Sequence, residues 1–278
     1  GALPPLLPPM STVFNFTFVP WFRSVAPYIH THRGKTFVVG LVGEAIAAGK
    51  LAAIATDLAL IQSMGVKVVL VHGFRPQVNE QLQIKGQPAH YSHGQRITDA
   101  VALDCAQEAA GQLRFEIEAA FSQGLPNTPM AGATVRVISG NFITARPMGI
   151  IDGVDFKSTG VVRKVDVAGI RRSLDGGAMV LISPFGFSPT GEAFNLAMEE
   201  TATSVAMALQ ADKLLFVTET PGLRMRPGEP ASDDNPIDTE IPLAEARALL
   251  ARLPAAEQPT DESFYLRHCV TACEHGVE

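Results

Sequence analysis

Two short loops in this sequence have the makings of an anion site. Val42-Gly43-Glu44-Ala45 follows the apolar run Thr36 to Val42, and Val71-His72-Gly73-Phe74-Arg75-Pro76-Gln77 follows the run Val66 to Val71. A glycine at a strand end lets backbone N–H groups come close to an anion, and a helix starting there adds the favourable end of its dipole. The same glycine serves an ordinary tight turn, so neither loop specifies chemistry alone. A second cluster lies near the end of the chain, where Cys269 and Cys273 are one helical turn apart with His268 and His275 close by. Zinc sites of this kind usually carry an acidic ligand or a second Cys/His pair elsewhere. The expectation is therefore buried thiols on a packed helix and no metal. With Cys105 these are the three cysteines, and they form neither a CxxC pair nor an even disulfide framework. That pattern suits a reducing, cytoplasmic setting.

The elements that must position the loops alternate. Thr36 to Val42 predicts a strand, and a helix follows from about Glu44 to Met64, with Ile46, Leu51, Ile54, Leu58 and Ile61 at helical spacing. Strands are predicted at Val66 to Val71, Gly160 to Asp166, Met179 to Ser183 and Leu214 to Thr218. Helices are predicted over Val78 to Ile84, Asp99 to Phe121, Val167 to Leu174, Leu196 to Gln210, Leu243 to Leu253 and Asp261 to Glu274. Val135 to Ser139 and Phe142 to Arg146 flank Gly140-Asn141, which reads as a hairpin and would make the sheet mixed. The fold class this predicts is α/β, a mostly parallel central sheet sandwiched by helices. Arg226 to Asp238 reads as a loop.

Residues 1–20 are expected to form a flexible or swapped arm, followed by one domain over residues 21–278. Gly1 to Pro9 is too rich in Pro and Gly for regular structure, while Val13, Phe14, Phe16 and Phe18 suit a segment lying along another surface. Trp21 to His32 reads as a short helix with Phe22, Val25 and Ile29 on one face and Pro27 as a kink or its true start. Arg23, His30, His32, Arg33 and Lys35 surround it, with no acid.

The composition fits a folded chain with a sizeable core: 278 residues, 46% of them hydrophobic. Its formal net charge of −6 lacks the basic excess of a nucleic-acid binder. No apolar run reaches the ~20 residues that span a bilayer, so no membrane partner is expected. The N-terminus lacks the charged start of a secretory signal.

In order and spacing, the two loops resemble the phosphate-binding loops of the amino-acid kinase family, acetylglutamate kinase in particular. Gly94-Gln95-Arg96-Ile97-Thr98-Asp99 is similar to the segment whose arginine holds the acetylglutamate carboxylate. Ile182-Ser183-Pro184-Phe185-Gly186 and Gly191-Glu192-Ala193-Phe194-Asn195 are similar to the stretch supplying a substrate-binding asparagine. Ala211-Asp212-Lys213-Leu214-Leu215-Phe216-Val217-Thr218 resembles the strand that leads to the nucleotide pocket. The resemblance implies an acetylglutamate and nucleotide pocket at Gly43, Gly73, Arg96, Asn195 and Glu199.

Departures from the family pattern make that pocket vestigial. Where the kinases place a lysine before the first glycine pair, this chain has Gly40. The pair itself reads Val42-Gly43, Phe74 and Arg75 replace further glycines, and Glu199 stands for a shorter aspartate. Tyr265 falls nearest the late nucleotide-site lysine. Phosphoryl transfer depends on cations aimed at developing charge, so no catalytic residue is expected here.

This combination resembles the degenerate kinase-like domain of bacterial N-acetylglutamate synthases, in which an acetyltransferase domain follows. Pro27-Tyr28-Ile29-His30-Thr31-His32-Arg33-Gly34-Lys35-Thr36-Phe37-Val38-Val39 is the most specific match, supported by Ser139-Gly140-Asn141-Phe142-Ile143 and Asp152-Gly153-Val154-Asp155. The resemblance implies an L-arginine site at Tyr28, Lys213, Thr271, Glu274 and Gly276. Tyr28 would cover the ligand's stem, Lys213 would pair with its carboxylate, Thr271 or Glu274 would meet its guanidinium, and Gly276 would admit its backbone. Read alone, Lys213 is a surface lysine and Gly276 a helix C-cap. The resemblance also implies a homo-oligomer built through the N-terminal helix. It implies no cofactor in this domain, with acetyl-CoA belonging to an acetyltransferase domain expected downstream. Two other readings stand beside this one, an active acetylglutamate kinase with unusual loops and an unrelated small-molecule-binding α/β protein.

Overall fold

Continuous apolar runs mark strands that are covered on both faces, and here they assemble one parallel sheet. The computed structural model describes residues 18–124, 131–219, 232, 241–253 and 262–278. In chain order it begins with α1 (Phe18–His32), β1 (Thr36–Leu41), α2 (Gly43–Ala47), α3 (Leu51–Ser63), β2 (Lys67–His72) and α4 (Arg75–Ile84). There follow β3 (Tyr91–Ser92), β4 (Gln95–Arg96), α5 (Ala100–Ser122), β5 (Val137–Ser139), β6 (Ile143–Pro147), β7 (Ile150–Ile151) and β8 (Val154–Asp155). Then come β9 (Gly160–Val165), α6 (Val167–Asp175), β10 (Met179–Ile182), β11 (Phe185–Phe187) and β12 (Ala193–Asn195). The chain closes with α7 (Met198–Leu209), β13 (Lys213–Val217), α8 (Leu243–Arg252) and α9 (Glu262–Glu274).

The main sheet runs β13-β1-β2-β10-β5, and every neighbouring pair is parallel. Val38, Leu41, Val69, Leu70 and Val71 are fully buried, the result of helices packing on both faces. Burying such a side chain contributes roughly 1.5–3 kcal/mol. A smaller sheet, β12-β11-β6-β9, is mixed: β6–β9 and β11–β12 are antiparallel, and β6–β11 is parallel. Ala246 of α8 and Leu266 and Val270 of α9 form a separate apolar cluster.

Three expectations are corrected. The single helix predicted from Glu44 to Met64 is α2 and α3, broken where Gly49 takes φ +78°. Gly140-Asn141 does not close a hairpin. Neither residue adopts the positive φ that a two-residue hairpin turn demands, so β5 joins the main sheet while β6 pairs with β9 in the small one. The antiparallel pairing of β6 therefore belongs to the small sheet, and the main sheet is parallel throughout.

Pro27 sits inside α1, where the hydroxyl of Thr31 donates to its carbonyl at 2.7 Å. Most of the predicted N-terminal arm, with Val13, Phe14 and Phe16, and most of the loop Arg226 to Asp238 lie outside the described residues. Among the described residues, no helix is long and apolar enough to cross a membrane.

Candidate functional site

The C-terminal ends of β1 and β2 open into a cavity of about 50 Å³, the crevice where parallel α/β sheets bind ligands. Gly43, Gly73, Arg96, Asn195 and Glu199 all line it, so the five residues of the expected vestigial pocket are brought together. Glu44, Phe74, Arg75, Tyr91 and Phe264 complete much of its wall. The glycines are explained by contact between the two loops. A Cβ on Gly73 would lie 2.9 Å from the Gly43 nitrogen, and one on Gly43 would lie 2.7 Å from Gln77 Oε1.

Where the kinases place a lysine, the space is filled. A Cβ on Gly40 would fall 2.7 Å from the Phe216 ring and 2.8 Å from Met198 Sδ. The Phe216 ring in turn packs against Tyr265, centroids 5.7 Å apart. The one cation that enters from the loops is Arg75, and it is already engaged: Nη1 lies 3.1 Å from Glu44 and Nη2 3.5 Å from Glu199. Burial works against the charge on Arg75, but Glu199 and then Glu44 outweigh it and raise its pKa. Burial likewise pushes the Glu199 carboxyl up, with Arg75 pulling the other way.

Arg96, 7% exposed, stacks over the Tyr91 ring at 4.9 Å and donates through Nη2 to the Arg75 carbonyl at 3.3 Å. Burial lowers its pKa, and Arg75 adds to the effect. Asn195 donates through Nδ2 to Thr98 Oγ1 at 3.0 Å, and Thr98 in turn meets Thr159 Oγ1 at 2.7 Å. Thr159 then donates to the Arg96 carbonyl, which closes a relay between the two cavity residues. Three buried polar atoms in this wall make no hydrogen bond among the described residues: Arg96 Nη1, Asn195 Oδ1 and Glu199 Oε2. An unmade bond at a buried group costs about 1–3 kcal/mol, so such groups mark places built for something else.

His72 is fully buried beside this wall. Its Nδ1 lies 3.0 Å from the Gly73 carbonyl, which can only accept, so Nδ1 carries the proton and Nε2 accepts from Ser183 Oγ at 2.7 Å. Burial lowers its pKa to about 4.

The residues expected to meet arginine lie at the far end of β13 and α9. The Lys213 ammonium is 2.8 Å from the Glu278 carboxylate. Backbone bonds from Leu214 N–H to the Glu278 carbonyl and from Glu278 N–H to the Asp212 carbonyl lay the chain after Gly276 beside β13. Glu274 pairs with Arg247 at 2.8 Å, and the Thr271 hydroxyl donates to the Arg267 carbonyl. Gly276 has φ +80° and a Cβ there would touch nothing within 4 Å, so the conformation alone explains the glycine. Tyr28 stands on α1 with 64% of its surface exposed. Lys213 thus lies beside Glu278, two residues past Gly276, whereas Glu274 pairs with Arg247 of α8.

On α9, burial raises the Cys269 thiol to about 11 and lowers His268 to about 4, so both groups are held neutral. The site residue that sequence reasoning missed is Arg75, which it counted only as a lost glycine. The signal for it was Glu199, an acid assigned to the pocket, together with Glu44 in the first loop, two carboxylates that call for a cation.

Residues 35–277 match the model of the amino acid kinase family. An amino-acid acetyltransferase of Ralstonia nicotianae is 52% identical over 260 residues, covering 94% of this chain and 55% of that protein. One from Photobacterium profundum is 46% identical over 256 residues, 92% of this chain and 57% of the relative. The chain thus spans a little over half the length of these relatives. Among solved structures, N-acetylglutamate synthase from Neisseria gonorrhoeae, complexed with coenzyme A and L-arginine, superposes with a TM-score of 0.83 at 36% identity. That match covers 94% of this chain and 58% of the other. Carbamate kinase of Giardia shares the fold, with a TM-score of 0.63 at 15% identity over 87% of this chain and 90% of its own.

Proposed function

The chain belongs to the amino acid kinase family, and we propose that it is the arginine-binding regulatory and assembly domain of an N-acetylglutamate synthase, with kinase chemistry lost. The whole protein would make N-acetyl-L-glutamate from acetyl-CoA and L-glutamate, the first step of arginine biosynthesis. Acetyl-CoA would serve a separate acetyltransferase domain, and this domain would carry no cofactor of its own.

The observation that carries the loss of phosphoryl transfer is the filled space at Gly40. Phe216 and Met198 occupy the volume a catalytic lysine would cross, and Arg75 is spent on Glu44 and Glu199. A transferred phosphoryl group would meet no free cation from either loop. The retained pair Arg96 and Asn195 favours an active kinase on its own, but positioning without charge stabilisation is insufficient for that reaction. The kinship with amino-acid acetyltransferases replaces the reading as an unrelated α/β binder.

The arginine reading draws on the relative bound to L-arginine and on the segment after Gly276, which runs beside β13 and meets Lys213 through Glu278. L-Arginine needs acceptors for its guanidinium and a cation for its carboxylate. Lys213 would take the carboxylate, Tyr28 the stem, and Thr271 or Glu274 the guanidinium. The pairs Lys213–Glu278 and Arg247–Glu274 are largely exposed, and such pairs contribute little. Exchanging them for a ligand therefore costs little. Tyr28 is exposed on α1, and a second subunit meeting that helix would cover the ligand from outside. Calorimetric titration with L-arginine and L-lysine tests the reading. Saturable binding of arginine alone is expected, and no heat with millimolar arginine would overturn it.

A further inference from the structure

We propose that the cavity between α5 and the ends of β5 and β10 binds a small organic acid with an apolar body, its carboxylate held by Arg114 and its body laid against Ile143, Leu181 and Phe185. This cavity shares no lining residue with the crevice beyond β1 and β2, and it uses none of the residues of the arginine site.

One wall is α5, at Ala110, Gly111 and Arg114, and the other is the sheet at Leu181 with the segment that carries Phe185 and Phe187. The volume is about 340 Å³, within the range of small-molecule sites. A cavity of roughly 150 Å³ lined by aliphatic and aromatic side chains takes benzene, so an aromatic ring with a short arm fits in this one. Leu181 is 1% exposed and Phe187 46%, so the cavity runs from the core out to solvent. Phe185 and Phe187 meet edge to face at 5.8 Å, a pair against which a further ring can pack.

Two details of the walls point to an occupant. Gly111 lies in the interior of α5, where glycine destabilises a helix relative to alanine. It has no positive φ, and a Cβ built on it would touch nothing within 4 Å. Neither the backbone nor close packing within the chain requires this glycine, and what the missing side chain leaves is room at the cavity wall. The Ser139 hydroxyl, at the end of β5, is buried and makes no hydrogen bond among the described residues. A buried hydroxyl left unspent in a cavity wall offers a ligand a polar partner.

Charge selects the class of ligand. Arg114 is the one charged side chain lining the cavity among the described residues. Its Nε donates to Glu118 at 3.1 Å, one turn along α5, in a pair exposed enough to be exchanged at little cost. The guanidinium carries five N–H donors in a fork that fits a carboxylate, and Glu118 takes one of them through Nε. A cation at the edge of an otherwise neutral and largely apolar cavity favours an anion joined to an apolar body. Inorganic phosphate would satisfy the charge and leave the apolar wall wet. L-Arginine and L-lysine would each set a second cation beside Arg114 or a charged chain against Leu181, so this cavity stays silent in the titrations that define the arginine site.

The experiment titrates the chain by calorimetry with hydrocinnamate, with its neutral amide and with propionate, which lacks the ring. Saturable binding of hydrocinnamate is expected, and each of the other two should bind about tenfold or more weakly. Arg114→Gln should weaken hydrocinnamate by a similar factor and leave the L-arginine titration unchanged. Gly111→Leu should fill the cavity and abolish hydrocinnamate binding. Should either variant fail to fold, the three ligands on the unaltered chain still decide. No heat from millimolar hydrocinnamate, or equal affinities for the acid and its amide, would overturn the proposal. So would a lower mass by light scattering for Gly111→Leu with hydrocinnamate affinity unchanged, which would give the space at Gly111 to a second copy of the chain.

Discussion

Arg75 holds its guanidinium 3.5 Å from the carboxylate of Glu199, a residue only 1% exposed. Taking one partner from a buried ion pair strands the other charge, at a cost of about 3–5 kcal/mol. Arg75→Met should therefore destabilise the fold by an amount in that range. Adding Glu199→Gln should recover part of the loss. Urea unfolding measures both, and equal stabilities for the single and double variants would show that the two side chains are uncoupled.

The packing at Gly40 sets a second expectation. Gly40→Ala forces a Cβ into the Phe216 ring and Met198, and overpacking of this kind costs about 1–3 kcal/mol. Gly40→Lys should be worse and should yield no acetylglutamate-dependent ADP release. Robust ADP release from the unaltered chain would contradict the lost-kinase reading outright.

His72 gives a pH dependence with a definite sign. Its pKa falls from 6.5 unfolded to about 4 folded because burial disfavours the imidazolium. Below pH 6.5 the unfolded state binds the extra proton. The contribution of His72 is thus complete above about pH 6.5 and is lost as the pH falls toward 4. At 1.36 kcal/mol per pKa unit the full loss is about 3 kcal/mol. Unfolding midpoints measured from pH 7 to pH 4.5 should fall, and His72→Asn should flatten that decline relative to the unaltered chain.

L-Arginine should raise the melting temperature. Binding to the native state alone adds about 2.7 kcal/mol at a hundredfold excess over Kd, which is on the order of 4–8 °C here. Lys213→Ala and Tyr28→Ala should each reduce the shift. Agmatine, which lacks the carboxylate, should bind more weakly and lose little more in Lys213→Ala. Equal shifts with arginine and lysine would reduce the effect to a nonspecific response to cations.

If α1 joins subunits, removing residues 1–32 should lower the mass found by light scattering. An unchanged mass, or a monomer from the start, would remove α1 from the assembly.

The strands that were legible in the sequence are those buried on both faces. β1, β2 and β10 read as unbroken apolar runs, and they form the middle of the parallel sheet. The break between α2 and α3 falls where the spacing slips, since Ile46 and Leu51 are five residues apart while Leu51, Ile54, Leu58 and Ile61 keep a helical spacing, and the backbone turn at Gly49 lies in that gap. β3, β4, β7 and β8 have two residues each, too few for any periodicity to accumulate. The cavity residues came through family resemblance, and the fold gathers all five. Arg75 was misjudged because its role depends on Glu44 and Glu199, two acids far from it along the chain. A local reading could register only which residue it had replaced.

The relay from Asn195 through Thr98 and Thr159 to the Arg96 carbonyl has a mechanical consequence. It ties the end of β12 to β4 without passing through the main sheet. Arg96 and Asn195 therefore keep their mutual spacing as a single jaw. Glu199 at the start of α7 and Arg75 at the start of α4 form the opposing jaw, closed by their own ion pair. The two jaws meet in one more bond, from Arg96 Nη2 to the Arg75 carbonyl at 3.3 Å, so the gap between them is itself spanned.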